Sequence, residues 1–161
     1  MGLEKITVAD SRIAGRGVYA KEDIRKGEPI LDFRGPIITL EEALARPVDG
    51  CPLQIGAEIY LDLPEPDVLV NHSCMPNAGL RKFTLTALTE IRRGTEIFFD
   101  YSTTMDEDNW TLPCACGAET CRGIVTDFKF LPPDLQEEYL DLGVVQDFIV
   151  RQYPRVRRVL G

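Results

Sequence analysis

The only histidine of the chain lies in the stretch Asn71-His72-Ser73-Cys74-Met75-Pro76-Asn77, between two side-chain amides, beside a cysteine and ahead of a proline. Imidazole can ligate metals, hold ligands by hydrogen bonds and exchange protons near neutral pH; side-chain amides supply both donors and acceptors. The stretch follows the apolar Val68-Leu69-Val70, which places it where a buried strand or turn opens into a polar site. A second reactive segment, Cys114-Ala115-Cys116-Gly117-Ala118-Glu119-Thr120-Cys121, has the spacing C-x-C-x-x-x-x-C, with a glycine that lets the turn fold back. Structural zinc takes four sulfur or imidazole ligands in a tetrahedron, so three thiolates need a fourth partner from elsewhere. Cys74 is the natural candidate; His72 is the alternative, and would leave Cys74 as a core thiol. A redox pair would show C-x-x-C beside a helix start, which this segment lacks. Cys51, remote in spacing from the others, reads as a packed thiol.

Composition narrows the setting. At 161 residues the chain fits one domain, since domains commonly run to about 100–150 residues. Hydrophobic residues make up 44% and charged residues 27%, as in ordinary globular proteins. A net charge of −8, from 18 basic and 26 acidic residues, argues against direct nucleic-acid binding and leaves a basic protein or peptide as partner, although a charged surface is also what keeps a protein soluble. No apolar run approaches the ~18 residues of a membrane span, and Met1-Gly2-Leu3-Glu4-Lys5 lacks the regions of a signal peptide. The expected setting is therefore the cytoplasm, or the nucleus of a eukaryote. Cysteines in a reducing compartment stay reduced, so five of them point to metal binding or reactivity rather than disulfides.

The elements that must position these residues are short. Ile6-Thr7-Val8 and Val18-Tyr19-Ala20 read as strands around the turn Gly15-Arg16-Gly17, Ile30 to Phe33 and Ile37 to Thr39 as two more, and Thr39 can cap a helix over residues 40–46. Residues 47–57, with Pro47, Gly50, Pro52 and Gly56, read as loop. Alternation over residues 58–63 predicts a half-buried strand, and residues 84–88 and 95–101 predict strands on either side of the turn at Arg92-Arg93-Gly94. Beyond Pro132-Pro133, apolar residues recur at helical spacing over 134–140 and 144–150, which predicts two helices broken at Gly143. The last residues, 151–161, hold four arginines and read as an ancillary tail. Many short strands punctuated by Gly and Pro predict a mostly β, α+β domain of curled small sheets.

Six segments, in order, resemble the SET-domain protein lysine methyltransferases: G-R-G-V at 15–18, D-F-R-G at 32–35, I-Y-L-D at 59–62, N-H-S-C-M-P-N at 71–77, G-T-E-I-F-F-D-Y at 94–101 and the post-SET pattern C-x-C-x-x-x-x-C-R-G at 114–123. The resemblance implies a SET domain over 1–110 with a knot-like crossing at the active site, a zinc-binding post-SET segment over 111–124, and a helical extension over 125–161. It implies that S-adenosylmethionine is held by Gly15, Arg16, Gly17, Asn71 and His72, with Ile124 against the adenine. That role for His72 assigns the fourth zinc ligand to Cys74, beside Cys114, Cys116 and Cys121. Tyr101 resembles the family's catalytic tyrosine, and Phe33, Tyr60 and Phe99 are expected to line the substrate channel. Phe99 in place of tyrosine implies room for di- or trimethylation; Phe33 stands where many relatives carry a tyrosine, so Tyr60 is the nearby source of a hydroxyl.

The implied activity is methyl transfer to the ε-amine of lysine in a basic, histone-like protein. A SET fold that serves only as a zinc-containing interaction module is the alternative, and Asn71, His72 and Tyr101 count against it.

Overall fold

Runs of three to five β-favouring residues between glycines and prolines cannot build long strands, and the computed structural model, which describes residues 2–46, 52–108 and 110–153, is made of small sheets. Strands β1 (Ile6–Asp10) and β2 (Arg16–Ala20) form an antiparallel hairpin. A second sheet joins β3 (Pro29–Asp32), β8 (Ala78–Arg81) and β9 (Thr84–Ala87) in the order β3-β9-β8; a third joins β4 (Ile37–Thr39), β5 (Leu53–Gly56) and β6 (Ile59–Leu61) in the order β4-β6-β5. Two-residue strands complete the set: β7 (Asn71–His72) pairs in parallel with β10 (Phe98–Phe99), and β11 (Leu112–Pro113) pairs antiparallel with β12 (Ile124–Val125). The mostly β architecture with few short helices agrees with the fold class expected from the sequence.

Helix α1 (Leu40–Leu44) begins where Thr39 predicts it: the Thr39 hydroxyl accepts from the Glu42 N–H while the Glu42 carboxylate accepts from the Thr39 N–H, a complete capping box. It ends two residues short of the expected Arg46. Three further expectations need correction. Leu53–Gly56, read as loop, is a strand because it pairs with β6 along the edge opposite β4. Residues 95–101 form a strand only at Phe98–Phe99, and Tyr101 instead opens a 3-10 turn, Tyr101–Thr104. After α2 (Pro133–Leu142), which stops at Gly143 with φ 71°, α3 is confined to Asp147–Val150. Cys51 and most of the tail, 154–161, lie outside the described residues.

The main core gathers Val18, Ile30, Leu80 and Leu85 from the hairpin and the β3-β9-β8 sheet, with Ile24, Phe33, Ile91 and Ile97 from the segments around them. Each such side chain contributes about 1.5–3 kcal/mol when fully buried. A second core of Phe128, Leu131, Tyr139, Val144, Val145 and Ile149 belongs to the C-terminal segment, with Leu88 packed against it. The two meet at Gly79, where a Cβ would stand 2.6 Å from Val144 Cγ1. Only the missing side chain lets the backbones approach this closely.

Candidate functional site

The site is built on the crossing of β7 and β10. Their parallel register sets Asn71 against Phe98 and His72 against Phe99, and the Ser73 N–H continues the ladder to the Phe99 carbonyl at 3.2 Å. Asn77, at the far end of the polar stretch, locks this register. Its amide nitrogen donates to the Glu96 carbonyl at 2.8 Å and its oxygen accepts from the Phe98 N–H at 2.9 Å. Sequence reasoning gave Asn77 no role, although the second asparagine of the motif was the available signal.

At the entrance to the crossing, the Asn71 amide nitrogen donates toward the Ala14 carbonyl at 3.2 Å, the Arg16 carbonyl at 3.0 Å and Glu96 Oε1 at 3.0 Å. Three acceptors on one nitrogen fix which end of the amide points where, and leave the oxygen as its acceptor end. The second Glu96 oxygen accepts from the Ser11 hydroxyl at 3.0 Å, so one carboxylate ties the glycine turn to Asn71. Gly17 is required here: a Cβ would lie 2.1 Å from Glu96 Oε1. Gly15 takes a positive φ of 48° beside open space. Arg16 joins the cluster through its backbone, while its exposed guanidinium pairs with Glu65, an interaction worth about 0–1 kcal/mol.

Aromatic rings line the inner side. Phe33 and Phe99 meet edge to face with centroids 5.9 Å apart, Phe99 lies 4.9 Å from Tyr101, and Tyr101 lies 5.3 Å from the His72 ring. The Tyr101 hydroxyl donates to the Val70 carbonyl at 2.7 Å, and its backbone N–H donates to His72 Nδ1 at 3.0 Å. Tyr60 is buried, but its hydroxyl donates to Glu107 at 2.5 Å; its ring makes none of the aromatic contacts that join Phe33, Phe99 and Tyr101. Burial beside Glu107 pushes the Tyr60 phenol well above its ordinary range.

The thiol groups of Cys74, Cys114, Cys116 and Cys121 all lie within 4.8 Å of one another. Cys74 and Cys114 sulfurs are 3.8 Å apart, and Cys114 and Cys121 sulfurs 3.7 Å. Four sulfurs at the ~2.3 Å zinc–sulfur distance of a tetrahedral site would stand about 3.8 Å from each other, so the donor set fits zinc. Burial raises the Cys74 and Cys114 thiols. Burial also opposes ionisation of Cys116, but backbone N–H donors from Cys74 and Ala118, with neighbouring thiols, bring it down to about 6. Four thiolates this close require a cation to coexist. His72 stands beside this cluster: its Nε2 is 3.4 Å from the Cys74 sulfur. Burial first, and the Arg122 charge second, lower the imidazole to about 4 against the opposing pull of Asp100. The 3.5 Å approach of His72 to Asp100 is therefore not an ion pair at neutral pH.

Asp100, only 1% exposed, is a residue that sequence reasoning did not single out. Arg122 grips it at 2.9 Å through each terminal nitrogen, the Ser102 N–H donates to it at 3.0 Å, and the Tyr139 hydroxyl donates at 2.8 Å. Arg122 also donates its backbone N–H to the Cys74 sulfur at 3.4 Å. The post-SET-like segment is thus fastened to the residue that precedes Tyr101. Ile124 sits in β12 on the same segment, 43% exposed. A second acidic group, Asp106, Asp108 and Asp127, is partly balanced by Lys129, which pairs with Asp108 and lies 3.7 Å from Asp106, while the Asp127 carboxylate accepts from the Glu107 and Asp108 N–H groups.

The family model of the SET domain matches residues 15–102. Among curated proteins, a Schizosaccharomyces pombe "Histone-lysine N-methyltransferase, H3 lysine-4 specific" is 34% identical over 133 residues, covering 70% of this chain and 14% of that protein. The human "Histone-lysine N-methyltransferase 2B" is 31% identical over 140 residues, 74% of this chain and 5% of that protein. The chain therefore spans a small part of the length of these relatives. Among solved structures, a chain of apo ctPRC2 with mutations in Ezh2 shares the fold at a TM-score of 0.56 and 22% identity, over 63% of this chain and 15% of that one.

Proposed function

The chain belongs to the SET-domain family, and on that premise we propose that it transfers methyl groups from S-adenosylmethionine to the ε-amine of lysine in a basic protein. The observation that carries this reading is the convergence at one crossing of an oriented amide, Asn71, a tyrosine hydroxyl, Tyr101, and a dry aromatic wall, Phe33 and Phe99.

The residues present suit the cofactor. The Asn71 amide oxygen can accept from an ammonium, Glu96 adds negative charge behind it, Gly17 makes room for that carboxylate, and Gly15 keeps the backbone open to a ligand. His72 offers this ligand its backbone, since its ring is committed to Tyr101 and Cys74. Ile124 supplies apolar surface for a base. When bound, S-adenosylmethionine supplies a methyl group activated by a positively charged sulfur.

The chain's own task is to present a neutral amine in line with that methyl. Deprotonating a lysine of pKa near 10.4 at pH 7 costs roughly 4–5 kcal/mol. Phe33 and Phe99 lower this cost by excluding water, which disfavours the ammonium form. Tyr101, with its proton committed to Val70, acts as an acceptor that orients an amine N–H. Alignment of this kind can contribute up to ~7–11 kcal/mol. Phe99 leaves space beside the amine, which suits more than one round of transfer. Cys74, Cys114, Cys116 and Cys121 would hold a structural zinc, which pins residues 111–124 to the crossing.

The relatives' names carry histones as substrates, and a net charge of −8 favours a lysine-rich segment by electrostatic complementarity. The expected setting is one where such proteins are made or used, the cytoplasm or the nucleus. The test is incubation of the full chain with labelled S-adenosylmethionine and core histones or ribosomal proteins, with Tyr101→Phe alongside. Transfer to lysine that Tyr101→Phe lowers at unchanged cofactor affinity is the expected result. No transfer, together with no calorimetric binding of the cofactor, would overturn the reading in favour of an interaction module.

A further inference from the structure

The C-terminal helix lies beyond the matched residues 15–102, yet it reaches the segment that carries Tyr101. Asp100 is the N-cap of the 3-10 turn that Tyr101 opens: its Oδ1 accepts from the Ser102 N–H at 3.0 Å. The same oxygen accepts from Arg122, and the other oxygen, Oδ2, accepts from Arg122 at 2.9 Å and from the Tyr139 hydroxyl at 2.8 Å. A buried carboxylate that receives four donors from three separate segments has its rotation fully specified. Tyr139 is 3% exposed, within α2, and burial beside Asp100 pushes its phenol far above the ordinary range, so it keeps the proton that it donates to Asp100. The network is kept at some cost, because Arg122 Nε is buried with no hydrogen-bond partner among the described residues, a penalty typically of the order of a lost hydrogen bond.

Two more bonds run from the C-terminal segment to the far end of the same turn. The Gln146 N–H donates to the Thr103 carbonyl at 3.1 Å, and the Phe128 N–H donates to the Met105 carbonyl at 3.0 Å. The turn is thus held at both ends by residues outside the matched region, and Tyr101 has little latitude within it.

We infer that Tyr139 is a positioning residue for methyl transfer: through Asp100 its hydroxyl fixes the cap of the turn and so the placement of Tyr101. This rests on the reading of Tyr101 as the catalytic tyrosine. Without the Tyr139 hydroxyl, Asp100 keeps the two Arg122 bonds and the Ser102 N–H, but Oδ2 loses its second donor, and the hold that the carboxylate keeps on the Ser102 cap is weakened. The helix itself need not move, because phenylalanine fills the same space.

The experiment compares Tyr139→Phe with Val144→Ala, which removes packing from the same core but no hydrogen bond to Asp100. The expected result for Tyr139→Phe is a kcat about tenfold lower, the loss of one hydrogen bond to a charged group. KM for S-adenosylmethionine should stay within about twofold, and the backbone amide resonance of Tyr101 should shift. Val144→Ala should lower Tm further while leaving kcat near wild type. A kcat that falls in both variants in proportion to their stability would overturn the inference, as would an unmoved Tyr101 resonance in Tyr139→Phe. Should the wild-type chain transfer no methyl group at all, the catalytic reading fails on its own, and the Tyr101 resonance still decides whether Tyr139 controls the turn.

Discussion

The backbone N–H of Tyr101 donates to Nδ1 of His72 at 3.0 Å. An imidazole nitrogen that accepts a hydrogen bond carries no proton, and His72 is neutral near pH 7, so its proton resides on Nε2, which faces the Cys74 sulfur at 3.4 Å. One ring thus joins the tyrosine's backbone to the cysteine cluster, the arrangement in which a partner outside the ligand set orients a metal-bound thiolate.

Zinc removal is therefore expected to reach the cofactor site. The intact protein should contain one zinc per chain, and Cys116→Ser should lose it. Zinc-free protein should bind S-adenosylmethionine about tenfold more weakly, a change of about 1.4 kcal/mol, because a protonated Cys74 no longer holds His72 and residues 114–122 loosen. Metal analysis and calorimetry on the same samples check this; equal affinity with and without zinc would refute the coupling.

Glu96 sets the direction of the Asn71 amide. Glu96→Gln keeps the shape but replaces one acceptor oxygen by a donor nitrogen, which faces either Asn71 or Ser11. Cofactor affinity should fall about tenfold, in line with one lost charge-assisted hydrogen bond, while the melting temperature moves little. Calorimetric titration measures the first and thermal unfolding the second; unaltered affinity would remove Glu96 from the site.

Glu107 gives a pH signature. Burial raises its carboxyl above the ordinary 4.5, against the lowering effect of the Tyr60 hydroxyl. A raised folded-state value means that this group stabilises the fold fully below the unfolded value and that the contribution is lost as pH rises through the folded value. Glu107→Gln cannot ionise. Its stability relative to wild type should accordingly improve as pH rises from about 4.5 upward, measured by urea unfolding across that range; a difference that does not change with pH would show that Glu107 is not held in this way.

Gly79→Ala tests how the C-terminal segment is joined to the main core. The new methyl would meet Val144 Cγ1 at 2.6 Å and Cβ at 2.9 Å. Overpacking of this kind costs typically 1–3 kcal/mol, and Val144→Ala in the same chain should recover part of it. Thermal unfolding of the single and double variants would show this as non-additivity.

Much of this site was legible in the sequence because its parts are local motifs. The polar stretch 71–77, the glycine turn and the cysteine spacing each announce a chemistry, and the structure brings Cys74 to the other three thiols as the motifs imply. What the sequence concealed lies in long-range side-chain bonds. Asp100 meets Arg122 and Tyr139 across separations of 22 and 39 residues, and nothing near Tyr139 distinguishes it from a core tyrosine. Glu96 similarly reads as one polar residue in a strand. The local errors have separate causes: Asp100 caps the backbone two residues ahead, which ends β10 where its residue types favour extension. Leu53–Gly56 becomes a strand only because β6 has a free edge to offer.

The parallel pairing of β7 with β10 has a consequence for how the protein acquires its shape. Asn71 binds Ala14 at a separation of 57 residues and His72 receives Tyr101 at 29, so the chain must close several large loops before any half of the crossing is worth forming. Such high contact order predicts slow folding, with the pairing of β7 and β10 dependent on those closures. A chain still emerging from the ribosome, or one cut between these segments, therefore lacks the paired Asn71 and His72 contacts, and under the proposed function binding of S-adenosylmethionine should return in step with global refolding rather than ahead of it.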